Sequence, residues 1–240
     1  MNQDYSKSPR LYVSPNLSAG ASIDLPDAQA HYLKNVMRMG INDSLRLFNG
    51  RDGEWHATIT QLDKKHAQLT PLSLLRAQPV PRRPVHLLFS PIKKARMDWL
   101  VEKAVELGAT DLHPVLTQHT EVRDLNPERI NTQIIEAAEQ CERLDIPTLH
   151  SLAPLKDKLS GWRTDFAVLL ALERADAEPL ATALDKIQGP LAFLIGPEGG
   201  FSAEERAYPS RWAFLKPVSL GPDILRSETA ACFMLSQPRL

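Results

Sequence analysis

With 240 residues, 43% of them hydrophobic, the chain is long enough to bury one large core or two modest ones. Two cysteines, Cys141 and Cys232, supply neither a disulfide framework nor a zinc-ligand cluster, and both read as core thiols in a reducing compartment. The net charge of −1 conceals an asymmetry: residues 1–103 carry 15 Lys and Arg against 9 Asp and Glu, whereas residues 104–240 carry 13 against 20. A basic front half on an otherwise acidic chain is the charge distribution of a polyanion-binding surface. The start, MNQDYSKSPRLYV, has no apolar signal core, and no run approaches the ~18 apolar residues of a membrane span. A soluble, cytoplasmic protein is expected.

The first 78 residues contain short elements separated by turn signals. A strand is predicted over 10–13. Residues 27–39 place Ala30, Leu33, Val36 and Met37 at helical spacing and stop at Gly40. Strands follow over 44–49, 54–61 and 65–71, with Asn49-Gly50 and Asp52-Gly53 as turn markers. This pattern suits a small barrel. Residues 77–84 hold three prolines in eight positions and read as a linker. The expected organisation is a barrel over 1–78, a linker over 79–84 and a second domain over 85–240.

From Val85 onward the period changes. Strand-like runs at 85–89, 111–116, 166–172, 191–195 and 213–220 alternate with helical ones. The first helix, 96–107, is marked by Leu100, Val101, Ala104 and Leu107 on one face and by Gly108 at its end. A second starts at Asn126-Pro127 and runs through Ile130, Ile134, Ala138 and Cys141. Further helices are predicted at 179–184 and 228–235. Such alternation argues for an α/β domain with a mostly parallel sheet covered on both faces. Ligands of these sheets sit outside the carboxyl ends of the strands.

Two loops stand at such ends. The run 191–195 stops in Gly196-Pro197-Glu198-Gly199-Gly200, and Ser202 with Glu205 forms a capping box ahead of a short helix at 203–207. The loop matches neither phosphate-binding glycine motif, carries a carboxylate at its centre and has no lysine. It suits a neutral or cationic ligand better than a phosphate. The stretch 217–231 repeats the plan: strand, Gly221-Pro222, then a helix start with Arg226, Ser227, Glu228 and Thr229. Ser227 suits an N-cap and Glu228 a first turn. A cation at a helix N-terminus is electrostatically misplaced, so Arg226 reads as functional.

At these loops, Leu194–Ser202 and Leu220–Ala231, the chain resembles the cofactor loops of the SPOUT methyltransferases. More narrowly it resembles the ribosomal RNA small subunit methyltransferase E family, which methylates N3 of a uridine in 16S rRNA with S-adenosylmethionine. Lys94–Gly108 is similar to that family's K-x-x-[RK]-x-[DE]-x-[LI]-x-x-K-x-x-E-L-G helix, and Ala137–Arg143 to its A-x-E-Q-x-x-R segment. His31–Arg38 is similar to the H-x-x-x-V-L-R piece of its PUA-like RNA-binding barrel. Asp223 departs from the family, which usually has a basic residue there.

The resemblance implies a SPOUT-type parallel sheet with a deep trefoil knot, an N-terminal PUA-like β-barrel, a homodimer, and 16S rRNA within the small subunit as partner. It places S-adenosylmethionine among Leu170, Ala171 and Leu172, the first loop (Leu194, Ile195, Gly196, Pro197, Glu198, Gly199, Gly200), and Leu215, Leu220, Gly221, Ile224 and Leu225. Uracil N3 is a poor nucleophile until its proton leaves, so the enzyme must stabilise an anion and align it with the methyl group. Arg226 is the candidate for that charge or for a phosphate, and Glu198 or Glu228 for the proton. RNA phosphates are expected on Arg10, Lys34, Arg38, Arg82, Arg83, Lys93, Lys94 and Arg96. His31 and Tyr32 suit base stacking or barrel packing. The competing readings are a SPOUT enzyme acting on a ribose 2′-OH or another base, and a non-catalytic ribosome-assembly factor.

Overall fold

The computed structural model describes residues 5, 7–81, 83–173 and 176–239, so Arg82, one of the expected RNA contacts, lies outside the described residues. The chain divides into two compact units, Met1–Pro81 with Ala138–Ile146 and Arg82–Ala137 with Pro147–Leu240.

The first unit contains β1 (Arg10–Tyr12), β2 (Ile23–Leu25), α1 (Asp27–His31), β3 (Ser44–Phe48), β4 (Glu54–Leu62) and β5 (Ala67–Arg76). Its sheet runs β1-β3-β4-β5-β2, with β1 parallel to β3 and the other pairs antiparallel. β5 continues beyond the predicted end at Pro71 because the ladder shifts register there, between the pairs Ala57–Pro71 and His56–Ser73. A bulge tolerates a residue without an N–H. The helix expected over 27–39 is shorter than predicted. After α1 the chain makes a π-helical turn, Tyr32–Val36, and leaves it through Arg38 at φ 55°. Leu11, Val13, Ile23, Leu33, Leu45, Leu47, Ile59 and Leu69 meet in one core.

Arg10 explains why residues 138–146 belong to this unit. Its guanidinium donates to the carbonyls of Ala138 (2.7 Å), Glu139 (2.8 Å) and Arg143 (2.7 Å) and lies 4.2 Å from the centre of the Phe48 ring. Its Nε sits 2.6 Å from Glu54, which also pairs with Arg76 at 2.7 Å and faces Arg46 at 3.8 Å. Arg10 is only 7% exposed. The expectation that it contacts RNA phosphate is therefore corrected: its donors are spent inside the unit.

The second unit contains β6 (Val85–Phe89), α2 (Lys94–Glu106), β7 (Asp111–Leu116), most of α3 (Pro127–Gln140), β8 (Thr148–Leu149), β9 (Ala153–Pro154) and α4 (Leu155–Ser160). It continues with β10 (Ala167–Ala171), β11 (Glu178–Pro179), α5 (Leu180–Asp185), β12 (Leu191–Ile195), α6 (Ala203–Arg206), β13 (Leu215–Ser219) and α7 (Ser227–Ser236). All pairs in its sheet are parallel, in the order β11-β13-β10-β12-β6-β7-β8, with β9 beside β7. Every residue of β12 is buried, so this strand is a continuous apolar run rather than an alternating one. α7 packs on both α2 and β12. The two-residue strands and α4 carry too little periodicity to be read from sequence.

Candidate functional site

Three strands end at one place. Ala171 closes β10 and Leu172 follows it, Ile195 closes β12, and Leu220 follows β13. Beyond them the loops 196–201 and 220–226 line a single cavity of about 470 Å³. A volume of a few hundred Å³ is that of a small-molecule site. The position follows from the parallel sheet, whose carboxyl ends leave a crevice where neighbouring connections diverge.

Each loop is fixed by specific contacts. A Cβ on Gly196 would stand 2.8 Å from the ring of Phe201, so only glycine lets that ring fold beneath the loop. The Ser202–Glu205 capping box forms in both directions, at 3.3 and 2.8 Å. The buried Glu205 also accepts the Gln118 amide at 2.8 Å, which anchors the helix start to a neighbouring turn. His119 Nδ1 donates to the carbonyls of Gly199 and Gly200. The two loops are joined directly: Ser227 Oγ donates to the Gly196 carbonyl at 2.8 Å. Ser227 is thus not the N-cap expected of it. Arg226 occupies that position with extended backbone and makes no side-chain cap.

Most of the predicted cofactor residues line the cavity: Ala171, Leu172, Ile195, Gly196, Pro197, Glu198, Gly200, Leu220, Gly221, Ile224 and Leu225. Leu170, Leu194 and Leu215 do not. They lie in the apolar core below, because a strand residue whose side chain faces the core cannot also face the ligand. Gly199 turns away, against His119. Arg226 lines the cavity and is exposed.

Arg96, expected to meet phosphate, stands half-buried in the cavity wall, where it is ion-paired with Glu198 and lies 3.9 Å from Glu228. Glu228 is 8% exposed, and its Oε2 is buried with no hydrogen-bond partner among the described residues. Of the remaining basic candidates, Lys34 is half-buried, while Arg38, Lys93 and Lys94 are exposed. Arg83 spends donors on the carbonyls of Gly189 and Ile187.

The sequence reading missed Glu173, Phe201, Arg206 and Ala230 in the cavity wall. Phe201 alone had a signal, standing directly after the double glycine. Glu173 and Arg206 are brought together by tertiary structure, the Arg206 guanidinium donating to the Glu173 carbonyl. Apolar walls from Leu172, Ile195, Leu220 and Ile224, with both the carboxylates of Glu173, Glu198 and Asp223 and the guanidiniums of Arg96, Arg206 and Arg226, make a site for a ligand that is partly apolar and carries charge of both signs.

Comparison with known proteins gives the same picture. Residues 78–238 match the model of an RNA methyltransferase domain, and residues 25–72 that of an RNA methyltransferase PUA domain. The ribosomal RNA small subunit methyltransferase E of Rickettsia conorii is 33% identical over 96% of this chain and 95% of that protein. Its namesake from Synechocystis is also 33% identical, over 95% of this chain and 76% of that protein. The crystal structure of the Neisseria gonorrhoeae enzyme bound to S-adenosyl methionine superposes with a TM-score of 0.84, at 29% identity over 95% of each chain. A Legionella pneumophila methyltransferase in complex with the same cofactor gives 0.83, at 29% identity over 96% of each chain. This chain belongs to the ribosomal RNA small subunit methyltransferase E family.

Proposed function

We propose that this chain transfers a methyl group from S-adenosylmethionine to N3 of a uridine in 16S ribosomal RNA of the small subunit. The observation that carries this reading is the convergence of the two Gly-Pro loops on one cavity, tied by the Ser227–Gly196 hydrogen bond, at the carboxyl ends of a parallel sheet. When bound there, S-adenosylmethionine supplies an electrophilic methyl group on a sulfonium. Leu172, Ile195, Leu220 and Ile224 would hold its adenosyl part, and Gly196 and Gly221 leave backbone room beside it. Glu198 and Glu173 suit its cationic end.

The chain's own residues then have distinct tasks. Arg226, exposed at the cavity and free of any capping contact, stabilises the negative charge that develops on the uracil ring as N3 loses its proton. Glu198 lines the cavity but is engaged by Arg96, whereas Glu228 lies behind the wall with one buried carboxylate oxygen unpartnered, so both remain candidates for the proton. The exposed Arg38, Lys93 and Lys94 supply phosphate contacts that orient the RNA.

A homodimer formed through α2 and α7 fits this reading, since Trp99 and Phe233 leave 41% and 40% of their surface exposed on these adjoining helices. β13 pairs on the side of β10 remote from β12, and α7 returns to β12, which is the chain path a trefoil knot would need. No described helix is long and apolar enough to cross a membrane, and a ribosomal substrate places the protein in the cytoplasm.

Mass spectrometry of nucleosides from 16S rRNA tests the function. Cells lacking the gene should lose one N3-methyluridine, and the gene should restore it. Loss of a ribose-methylated nucleoside instead would favour a different target.

A further inference from the structure

The second unit carries a cluster of ionisable side chains that methyl transfer does not use. His86 on β6 stands in register with Asp111 on β7, and His113 lies two residues further along β7, on the same face of the sheet. His150 follows β8, held where its amide donates to the Leu112 carbonyl. The three rings and the carboxylate are closely engaged. His86 Nε2 is 3.0 Å from Asp111 Oδ2, His86 Nδ1 is 2.9 Å from His113 Nε2, and His150 Nε2 is 2.7 Å from Asp111 Oδ1. His150 also stacks on His113 at 3.8 Å between ring centres.

We propose that His86, Asp111 and His113 form a binding site for a divalent transition-metal ion, zinc being the best match, with His150 as the residue that positions Asp111. Three observations carry this. One imidazole or carboxylate atom from each of the three residues lies within 4.8 Å of the others. Bonds of about 2.0–2.2 Å to a four-coordinate ion need donor atoms roughly 3.3–3.5 Å apart, which small side-chain rotations reach. The donor set, imidazole with carboxylate, is one that zinc takes. His113 is 3% exposed, and its Nδ1 is buried with no partner among the described residues, a polar atom left over by the hydrogen bonds within the cluster.

The location defines the role. His86 and Asp111 begin their strands, so the cluster lies toward the amino ends of the sheet, whereas the cofactor cavity lies at the carboxyl ends. The ion therefore takes no part in methyl transfer. It would tie β6 to β7, with water completing its coordination, while His150 holds the segment after β8 to Asp111. Asp111 and His86 keep about a fifth of their side-chain surface exposed, which gives the ion a way in. Lys158, half-buried on α4, acts electrostatically on both His113 and Asp111 and opposes a cation there.

The test uses the full chain without a histidine tag, stripped with a chelator and titrated with Co²⁺ as a visible reporter and then with Zn²⁺. One Co²⁺ per chain, with the intense absorption of a four-coordinate site that Zn²⁺ abolishes, is the expected result. His113→Gln and Asp111→Asn should eliminate it. His150→Ala should weaken affinity by about 10–100-fold, as loss of an outer hydrogen bond does. Lys158→Met should tighten binding. Retained S-adenosylmethionine binding certifies the fold of each variant, and His86→Gln replaces either eliminating variant that fails this check. Absence of a Co²⁺ spectrum at millimolar metal, or a spectrum unchanged in the correctly folded ligand variants, would overturn the proposal.

Discussion

Two arginine–glutamate networks, one in each unit, use the same chemistry to opposite ends. In the first unit Glu54 is 1% exposed and is enclosed by Arg10, Arg76 and Arg46. In the second, Arg96 binds Glu198 and approaches Glu228 on the wall of an open cavity. The sealed network buries its carboxylate and acts as an internal clamp on residues 138–146. The open one leaves Arg226, whose side chain makes no ion pair among the described residues, facing ligand space, with the unpartnered Glu228 oxygen buried behind the wall. What separates structure from function here is which groups are left unsatisfied, not which residue types are present.

The sharpest way to break this contrast is to remove the centre of the sealed network. Glu54→Ala leaves Arg10 buried without its carboxylate and should destabilise the first unit by about 3–5 kcal/mol, measured by thermal or chemical unfolding. A loss under about 1 kcal/mol would mean that the cluster is not the clamp described. Acid provides a second reading. Burial pushes the Glu54 carboxyl up, but hydrogen bonds from Arg76 and Arg10 outweigh it and hold it below its ordinary value of 4.5. A depressed carboxylate contributes stability that is fully present above its unfolded-state value. That contribution should vanish as pH falls from about 4.5 through the lower folded value, so wild type and Glu54→Gln should converge in acid.

In the open network the expected effect falls on rate instead. Arg226→Ala should reduce methyl transfer by roughly 10²–10³-fold, the range for removing one donor to a developing anion, while S-adenosylmethionine affinity stays near wild type. Calorimetry with the cofactor and single-turnover transfer to small-subunit RNA separate the two quantities. Unchanged turnover would remove Arg226 from the chemistry. Ser227→Ala is a milder intervention. It deletes one hydrogen bond between the loops, worth about 0.5–1.5 kcal/mol, so cofactor affinity should fall by up to about tenfold.

Much of this was legible in the sequence, and the limits have physical causes. The strands at 85–89, 111–116 and 191–195 were readable to the residue because apolar runs there are bounded by polar, Gly or Pro positions. The Ser202–Glu205 capping box is local in sequence, so it was equally visible. Both Gly-Pro loops could be recognised, but their convergence depends on β13 pairing beside β10, a long-range choice that no local pattern encodes. The surroundings of Arg10 and Arg96 are hidden for one reason. Arg10 and Arg96 look like surface cations because nothing nearby in sequence reveals that Glu54 or Glu198 will meet them. That the side chains of Leu170, Leu194 and Leu215 lie in the core is hidden for a related reason: residues next to the strand ends share apolar character, and only the sheet's orientation decides which side chains face the cavity. The histidine cluster is assembled from residues 86, 111, 113 and 150, so its donors are scattered along the chain.

The smallest expected effect concerns the exposed cations that neither network uses. Lys94 begins α2, is exposed, and makes no ion pair within 4.0 Å among the described residues, unlike its neighbour Lys93, which is paired with Glu121 at 3.5 Å. If Lys94 neutralises one RNA phosphate, binding of small-subunit RNA should weaken with salt through release of counterions. Lys94→Ala should then lower the slope of log affinity against log salt by about 0.7–0.9, with a similar loss for every RNA sequence tried. Glu54→Gln, buried and far from solvent, should leave that slope unchanged at neutral pH. A variant at Lys94 that alters sequence preference but not the salt slope would show that this lysine reads a base rather than a phosphate. It would then belong with Arg226 among the groups that contact the target directly.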